Sequence, residues 1–217
     1  SDFDEIRKLV VEDKIGGLIF SIGTTKSHID WLNKFQSLSK TPLLVSMDAE
    51  WGPSQRLSDV FAHPWNMTLG AIQDNSLVRE ISKRMAEQNK ALGIHYNFSP
   101  SVDVNNNSKN PIIGNRSFGE DPNNVYEKAK AYIEGHKEAG VFTSIKHFPG
   151  HGDTDKDSHK TLPVIKGNIK RLNNVELYPF KRLIQDGLAQ SIMLAHLSVP
   201  ALDKKYPSSL SYKTVNN

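Results

Sequence analysis

The sequence predicts an α/β fold built around parallel strands, and three observations lead there. Five short apolar runs alternate with segments of amphipathic helical spacing. Parallel neighbours need crossover connections and cover on both faces, which apolar strands flanked by helices satisfy. Polar residues then collect just after the apolar runs, at Asp48, Asp103, Lys146 and His196. An open sheet would gather such residues at one crevice, whereas a barrel lets several strand ends supply one site at its C-terminal face, so the barrel is favoured.

The elements follow in order. Phe3, Ile6, Leu9 and Val10 recur at helical spacing, so a helix precedes the first strand, at 15–20. A second helix is expected over about 27–38, and the strand 42–47 ends on Asp48 and Glu50. Asp74 can cap a long helix with Leu77, Ile81, Met85 and Leu92 along one side and Gly93 at its stop. Residues 94–104 read as a strand with polar punctuation. Asp121 and Pro122 cap and start a helix reaching Ala139 and ending at Gly140. The strand 141–145 leads into a histidine-rich loop, a further helix is expected over about 175–186, and 191–197 is the fifth apolar run. A closed eight-stranded barrel usually takes about 250 residues, so five strands leave this one short of closure.

Composition narrows the function. The chain has 217 residues, 37% hydrophobic and 24% charged, enough for one substantial core in one domain. Its net charge is +3, without a basic block, so nucleic acid is not the expected partner. No run approaches the roughly 18 apolar residues of a membrane span, and no secretory signal opens the chain. Zero cysteines exclude disulfides and thiolate chemistry. They fit a cytoplasmic or a cell-envelope location, with a slight lean to the periplasm.

The densest chemistry lies in 146–159, where His147, His151 and His159 share fourteen residues with Asp153, Asp155 and Asp157. Histidine titrates nearest neutrality, and an aspartate two residues before it can fix its tautomer and favour its protonated form. Pro149, Gly150 and Gly152 deny the segment regular structure, so a loop is expected directly after 141–145. The rival chemistry is a zinc or manganese site made by His147, His151, Asp153, Asp157 and His159. In a loop interrupted by proline and glycine the His147 to His151 spacing has no helical meaning, and no metal is expected. Trp31 lies in a helical pattern with Phe35 and reads as core, while Trp51 and Trp65 could stack on sugar faces.

Four motifs in order carry a family likeness: Leu44 to Glu50 with Gln55, Arg56 and Leu57; Asn97 to Asn105; Ile113 to Pro122; and 146–159. Together they make the chain resemble the family 3 glycoside hydrolases, specifically the bacterial β-N-acetylglucosaminidase branch. The resemblance implies a (β/α)8 TIM-barrel-type catalytic domain over 1–217, incomplete, with about five β/α units and without the first strand and the C-terminal strands. It implies a loop histidine as general acid/base, here His159, with Asp157 as its orienter. Sugar recognition by resemblance falls to Asp48, Arg56, Arg116, Lys146, His147 and His196. A cationic imidazole is a competent donor to a departing glycosidic oxygen near neutral pH.

The implied activity is that of a retaining exo-β-N-acetylglucosaminidase acting on peptidoglycan-derived or chitin-like saccharides through a covalent glycosyl-enzyme, without a cofactor. Two departures stand beside the likeness. Trp51, Gly52, Pro53 and Ser54 replace a Gly-Gly-Arg-Val-like stretch, and the family's nucleophilic aspartate would follow Pro207 to Ser211 by more residues than remain before Asn217. A fragment of a larger enzyme is therefore expected. Two alternatives follow: a β-glycoside phosphorylase, since a histidine does not repel an incoming phosphate, or a non-catalytic saccharide-binding module.

Overall fold

The computed structural model describes residues 2–155 and 162–216. α1 (Phe3–Val11) precedes β1 (Gly17–Ile19), and α2 (Thr25–Leu38) leads to β2 (Leu44–Met47). α3 (Asn66–Ala71) and α4 (Asn75–Ala91) precede β3 (Tyr96–Asn97), and α5 (Pro122–Ala139) precedes β4 (Phe142–Thr143) and β5 (Ile145–Phe148). α6 (Ile169–Asn174) and α7 (Tyr178–Gln185) lead to β6 (Ile192–Leu194), with α8 (Tyr212–Asn216) last.

All strand pairings are parallel, in the order β1-β2-β3-β4 for one sheet and β5-β6 for the other. The sheets join at Ser144, the one residue between β4 and β5, whose N–H faces the carbonyls of Asn97 and Ser99 at 3.2 and 3.0 Å. β4 pairs back to β3 and β5 forward to β6, so the two are halves of one broken barrel strand. The result is an α/β arc of a TIM-type barrel, five strand positions long, with its helices on the outside.

Local chemistry explains the well-predicted elements. Asp74 accepts from Ser76 N–H at the start of α4, Asp121 accepts from Asn124 N–H at the start of α5, and Gly140 closes α5 in the left-handed region. α4 and α5 pack closely because Gly135 has no side chain: a Cβ there would lie 2.4 Å from the Arg79 carbonyl oxygen. Their faces bury Val78, Met85, Tyr132 and Ile133 with Phe118 and Phe180. β2 buries Val45 and Met47 against Leu32 and Ile94, and Trp31 packs against Phe3 and Phe35.

Three expectations are corrected. The strand expected over 94–104 is confined to Tyr96–Asn97, since Pro100 has no N–H and the polar side chains of Ser99, Ser101 and Asp103 turn into the interior. The histidine-rich segment is not a loop from its first residue: β5 carries Lys146, His147 and Phe148 as strand, because β6 and Val102 satisfy its backbone and irregular structure begins only at Pro149. The helix expected over 175–186 begins later, at Tyr178, where Pro179 suits the first turn, and α6 precedes it.

Candidate active site

The C-terminal ends of β2 and β5 bring opposite charges together. Lys146, in β5, is 1% exposed, and its Nζ lies 2.8 Å from Asp48 Oδ1 and 2.9 Å from Glu50 Oε1. Arg56, just after the short 3-10 turn Pro53–Gln55, donates to Asp48 Oδ2 at 2.9 Å. Arg116 embraces Glu50 with its Nη2 2.7 Å from Oε1 and its Nε 3.1 Å from Oε2. The carboxylates are placed by neighbours that grip the backbone of this corner. Gln55 Oε1 accepts from Glu50 N–H, Asn97 Oδ1 accepts from Ala49 N–H, and Tyr132 Oη donates to the Glu50 carbonyl.

Charge pairing decides which form these acids take. Burial works to raise Glu50, but Lys146 and Arg116 outweigh it and hold the carboxyl down to about 2. Asp48 is lowered too: burial is the largest single influence and would raise it, but Lys146 and Arg56 together overcome it. The same ion pair raises Arg116 against the burial that would lower it.

A second layer orients the histidines. Asp103 is fully buried, with its Oδ2 2.6 Å from His147 Nδ1, and its carboxylate also accepts from the N–H of His151 and the hydroxyl of Ser101. Burial opposes its ionisation, yet His147 and the His151 N–H hold it well below the usual carboxylate range. His147 Nε2 lies 3.2 Å from Arg116 Nη2. Arginine cannot accept, so Nε2 is the acceptor and Nδ1 carries the proton given to Asp103. His151 is buried, its Nδ1 bonds Thr154 Oγ1 at 2.7 Å, and burial pushes its pKa down.

These groups border a cavity of about 530 Å³. Asp48, Arg56, Arg116, Lys146, His147 and His196, the residues expected to bind sugar, all line it. His196 is exposed on the wall contributed by β6, with its Nδ1 2.6 Å from Ser209 Oγ. Glu50 and Gln55 line it as well and escaped the sequence reading as site residues. Glu50 was detectable: it stands two residues after Asp48 at a strand end, and alternate residues share a face. Asp103 stays behind the lining and holds loops. Trp51 and Trp65 stack on each other with centroids 4.3 Å apart. Asp157 and His159 lie outside the described residues.

The arrangement is suited to binding a polyhydroxylated ligand. Carboxylates accept from hydroxyls, while Arg and Lys donate to ring oxygens and acyl groups. None of its described acids is poised to give up a proton at neutral pH, because Asp48, Glu50 and Asp103 are all held ionised. His147 donates an Nδ1–H hydrogen bond to Asp103, and its other nitrogen accepts from Arg116. Among the described residues, the carboxylates of this cavity are therefore suited to binding and not to proton donation.

Comparison with known proteins adds a second line of support. The model of the Glycosyl hydrolase family 3 N terminal domain matches residues 1–217. Beta-hexosaminidase A of Pseudoalteromonas piscicida is 35% identical over 212 residues, covering 92% of this chain and 36% of that protein. Among solved structures, a glycoside hydrolase family 3 β-N-acetylglucosaminidase from Paenibacillus sp. str. FPU-7 superposes with a TM-score of 0.91 at 38% identity, over 97% of this chain and 42% of the other. NagZ from Neisseria gonorrhoeae, solved in complex with N-trifluoroacetyl-D-glucosamine, gives 0.87 at 28% identity, over 98% and 65%. The chain thus spans little more than a third of the length of the curated relative named here.

Proposed function

Because this chain belongs to glycosyl hydrolase family 3, we propose that it forms the saccharide-binding and acid/base part of a retaining exo-β-N-acetylglucosaminidase, acting on peptidoglycan-derived or chitin-like saccharides. The observation that carries the reading is the cavity itself. Nine polar side chains from four segments converge there, and the two carboxylates among them, Asp48 and Glu50, are each paired with cations. Such a site grips hydroxyls and leaves proton transfer to another group.

That group is His159, with Asp157 orienting its ring. As the glycosidic bond breaks, the imidazolium donates a proton to the leaving oxygen. The neutral imidazole then accepts one from the water that attacks the glycosyl-enzyme. The nucleophile is an aspartate from the remainder of a longer polypeptide, as the greater length of the relatives allows. In this role Asp48 accepts from two sugar hydroxyls, and Arg116 and Lys146 supply donors.

The test uses the intact gene product and two substrates that differ in leaving group. His159→Ala should lower turnover by about a hundredfold or more on a chitooligosaccharide and far less on a dinitrophenyl glycoside, whose departure needs little protonation. Equal losses on both would remove His159 from the acid/base role. Release of sugar 1-phosphate when phosphate replaces the buffer would move the reading to phosphorolysis, and sugar binding without turnover would leave only a binding module.

A further inference from the structure

Behind the cavity, three charged side chains meet where β5 gives way to residues 151–155. Glu176, between α6 and α7, is 1% exposed. Its Oε1 accepts from Arg171 Nη2 at 3.1 Å, and its Oε2 has no hydrogen-bond partner among the described residues. The same Arg171 nitrogen reaches Asp153 Oδ2 at 2.8 Å. Gly150 leaves room for Glu176: a Cβ at Gly150, whose φ is +123°, would lie 2.7 Å from Glu176 Cβ.

The backbone on either side of Asp153 is pinned separately. Asn110 Nδ2 donates to the carbonyls of His151 and Gly152 at 2.7 and 3.0 Å, and Asn107 Nδ2 donates to that of Thr154 at 3.2 Å. The Asp153 side chain itself is held by Arg171. Burial, with the nearby Asp153 charge, pushes Glu176 up further than its own N–H, Arg171 and Asn106 bring it down. Glu176 contributes nothing to the cavity lining. What it does is hold a guanidinium whose other contact is Asp153, four residues before Asp157 and six before His159.

We propose that Glu176 and Arg171 form a strut that fixes Asp153, the departure point of the segment carrying Asp157 and His159, so that Glu176 is a positioning residue for proton transfer. The inference rests on His159 as the acid/base.

In the intact protein, Glu176→Gln and Arg171→Met should each lower kcat/KM about tenfold on chitobiose and less than about threefold on the dinitrophenyl glycoside, because only the poorer leaving group needs the acid. Adding Asp153→Asn to Arg171→Met should bring no further loss, since both remove the same contact. Equal losses on the two substrates, or additive losses, would overturn the strut. If Glu176→Gln does not fold, Asp153→Asn alone carries the comparison, its side chain being only partly buried. Hydrogen exchange separates this proposal from the acid/base reading. Exchange in a peptide spanning 149–162 should rise in Arg171→Met whether or not His159→Ala shows a leaving-group split, and unchanged exchange there would refute the strut by itself.

Discussion

Lys146 Nζ and Glu50 Oε1 stand 2.9 Å apart, and both side chains are almost wholly withdrawn from solvent. A buried ion pair contributes little beyond the desolvation it offsets, but removing one member leaves an uncompensated charge. Lys146→Met should therefore destabilise the fold by about 2–3 kcal/mol, somewhat under the usual figure because Arg116 still holds Glu50. Glu50→Gln should cost a similar amount, since it leaves both Lys146 and Arg116 short of a partner. Urea unfolding of the two variants checks it, and a loss below about 1 kcal/mol in either would count against the pairing.

The same corner sets the acid limit of stability. Glu50 is held down to about 2, and Asp48 and Asp103 are also lowered. Below the ordinary carboxylate range of about 4, an unfolded chain takes up protons that these folded groups refuse. Their stabilisation is complete above about pH 5 and declines as pH falls toward 2. Glu50→Gln should flatten the decline by up to about 1.4 kcal/mol per pH unit within that window. Denaturant unfolding between pH 3 and 6 measures the slope, and identical slopes would contradict the assignment.

Asp103 acts through His147. Asn at position 103 keeps an oxygen for the Nδ1 proton but loses the charge that gathers the His147 ring and the His151 N–H. Asp103→Asn should weaken N-acetylglucosamine binding by about tenfold, or roughly 1.4 kcal/mol, as His147 is released from its place beside Arg116. Calorimetric titration reads it, and unchanged affinity would detach His147 from sugar recognition.

Gly152 has no room for a methyl group. A Cβ there would lie 1.8 Å from the carbonyl oxygen of Val104, whereas one at Gly16 would meet nothing within 4 Å. Gly152→Ala should cost about 2 kcal/mol and depress turnover, while Gly16→Ala should leave turnover unchanged. Thermal melts and rates on the same preparations decide it, and equal effects would show that the loop tolerates displacement.

Helices with a cap and a full apolar stripe were legible from sequence, as α5 shows between Asp121 and Gly140. The short elements were not. α3 has too few residues for periodicity to appear, and β3 shrinks to two residues because tertiary demands on Ser99, Ser101 and Asp103 override the strand pattern. At the site, polar residues following strands pointed to Asp48, Lys146 and His196, and the family likeness added Arg56, Arg116 and His147. Glu50 was overlooked because a carboxylate at a strand end reads equally as surface. Its partners Arg116 and Lys146 lie 66 and 96 residues away, and only the fold brings them together. The strut of Arg171 with Asp153 and Glu176 was invisible for the same reason, since it joins a helix to a loop.

On the proposed function, the cavity between β2, β5 and β6 holds the N-acetylglucosamine unit. A crystal structure of the intact protein with N-acetylglucosamine tests it most directly. The sugar should lie in that cavity with hydroxyls within hydrogen-bond distance of Asp48 and Lys146 and with Arg116 and His147 at its side. A sugar bound elsewhere, with this cluster of charges untouched, would show that the cavity is not the saccharide site.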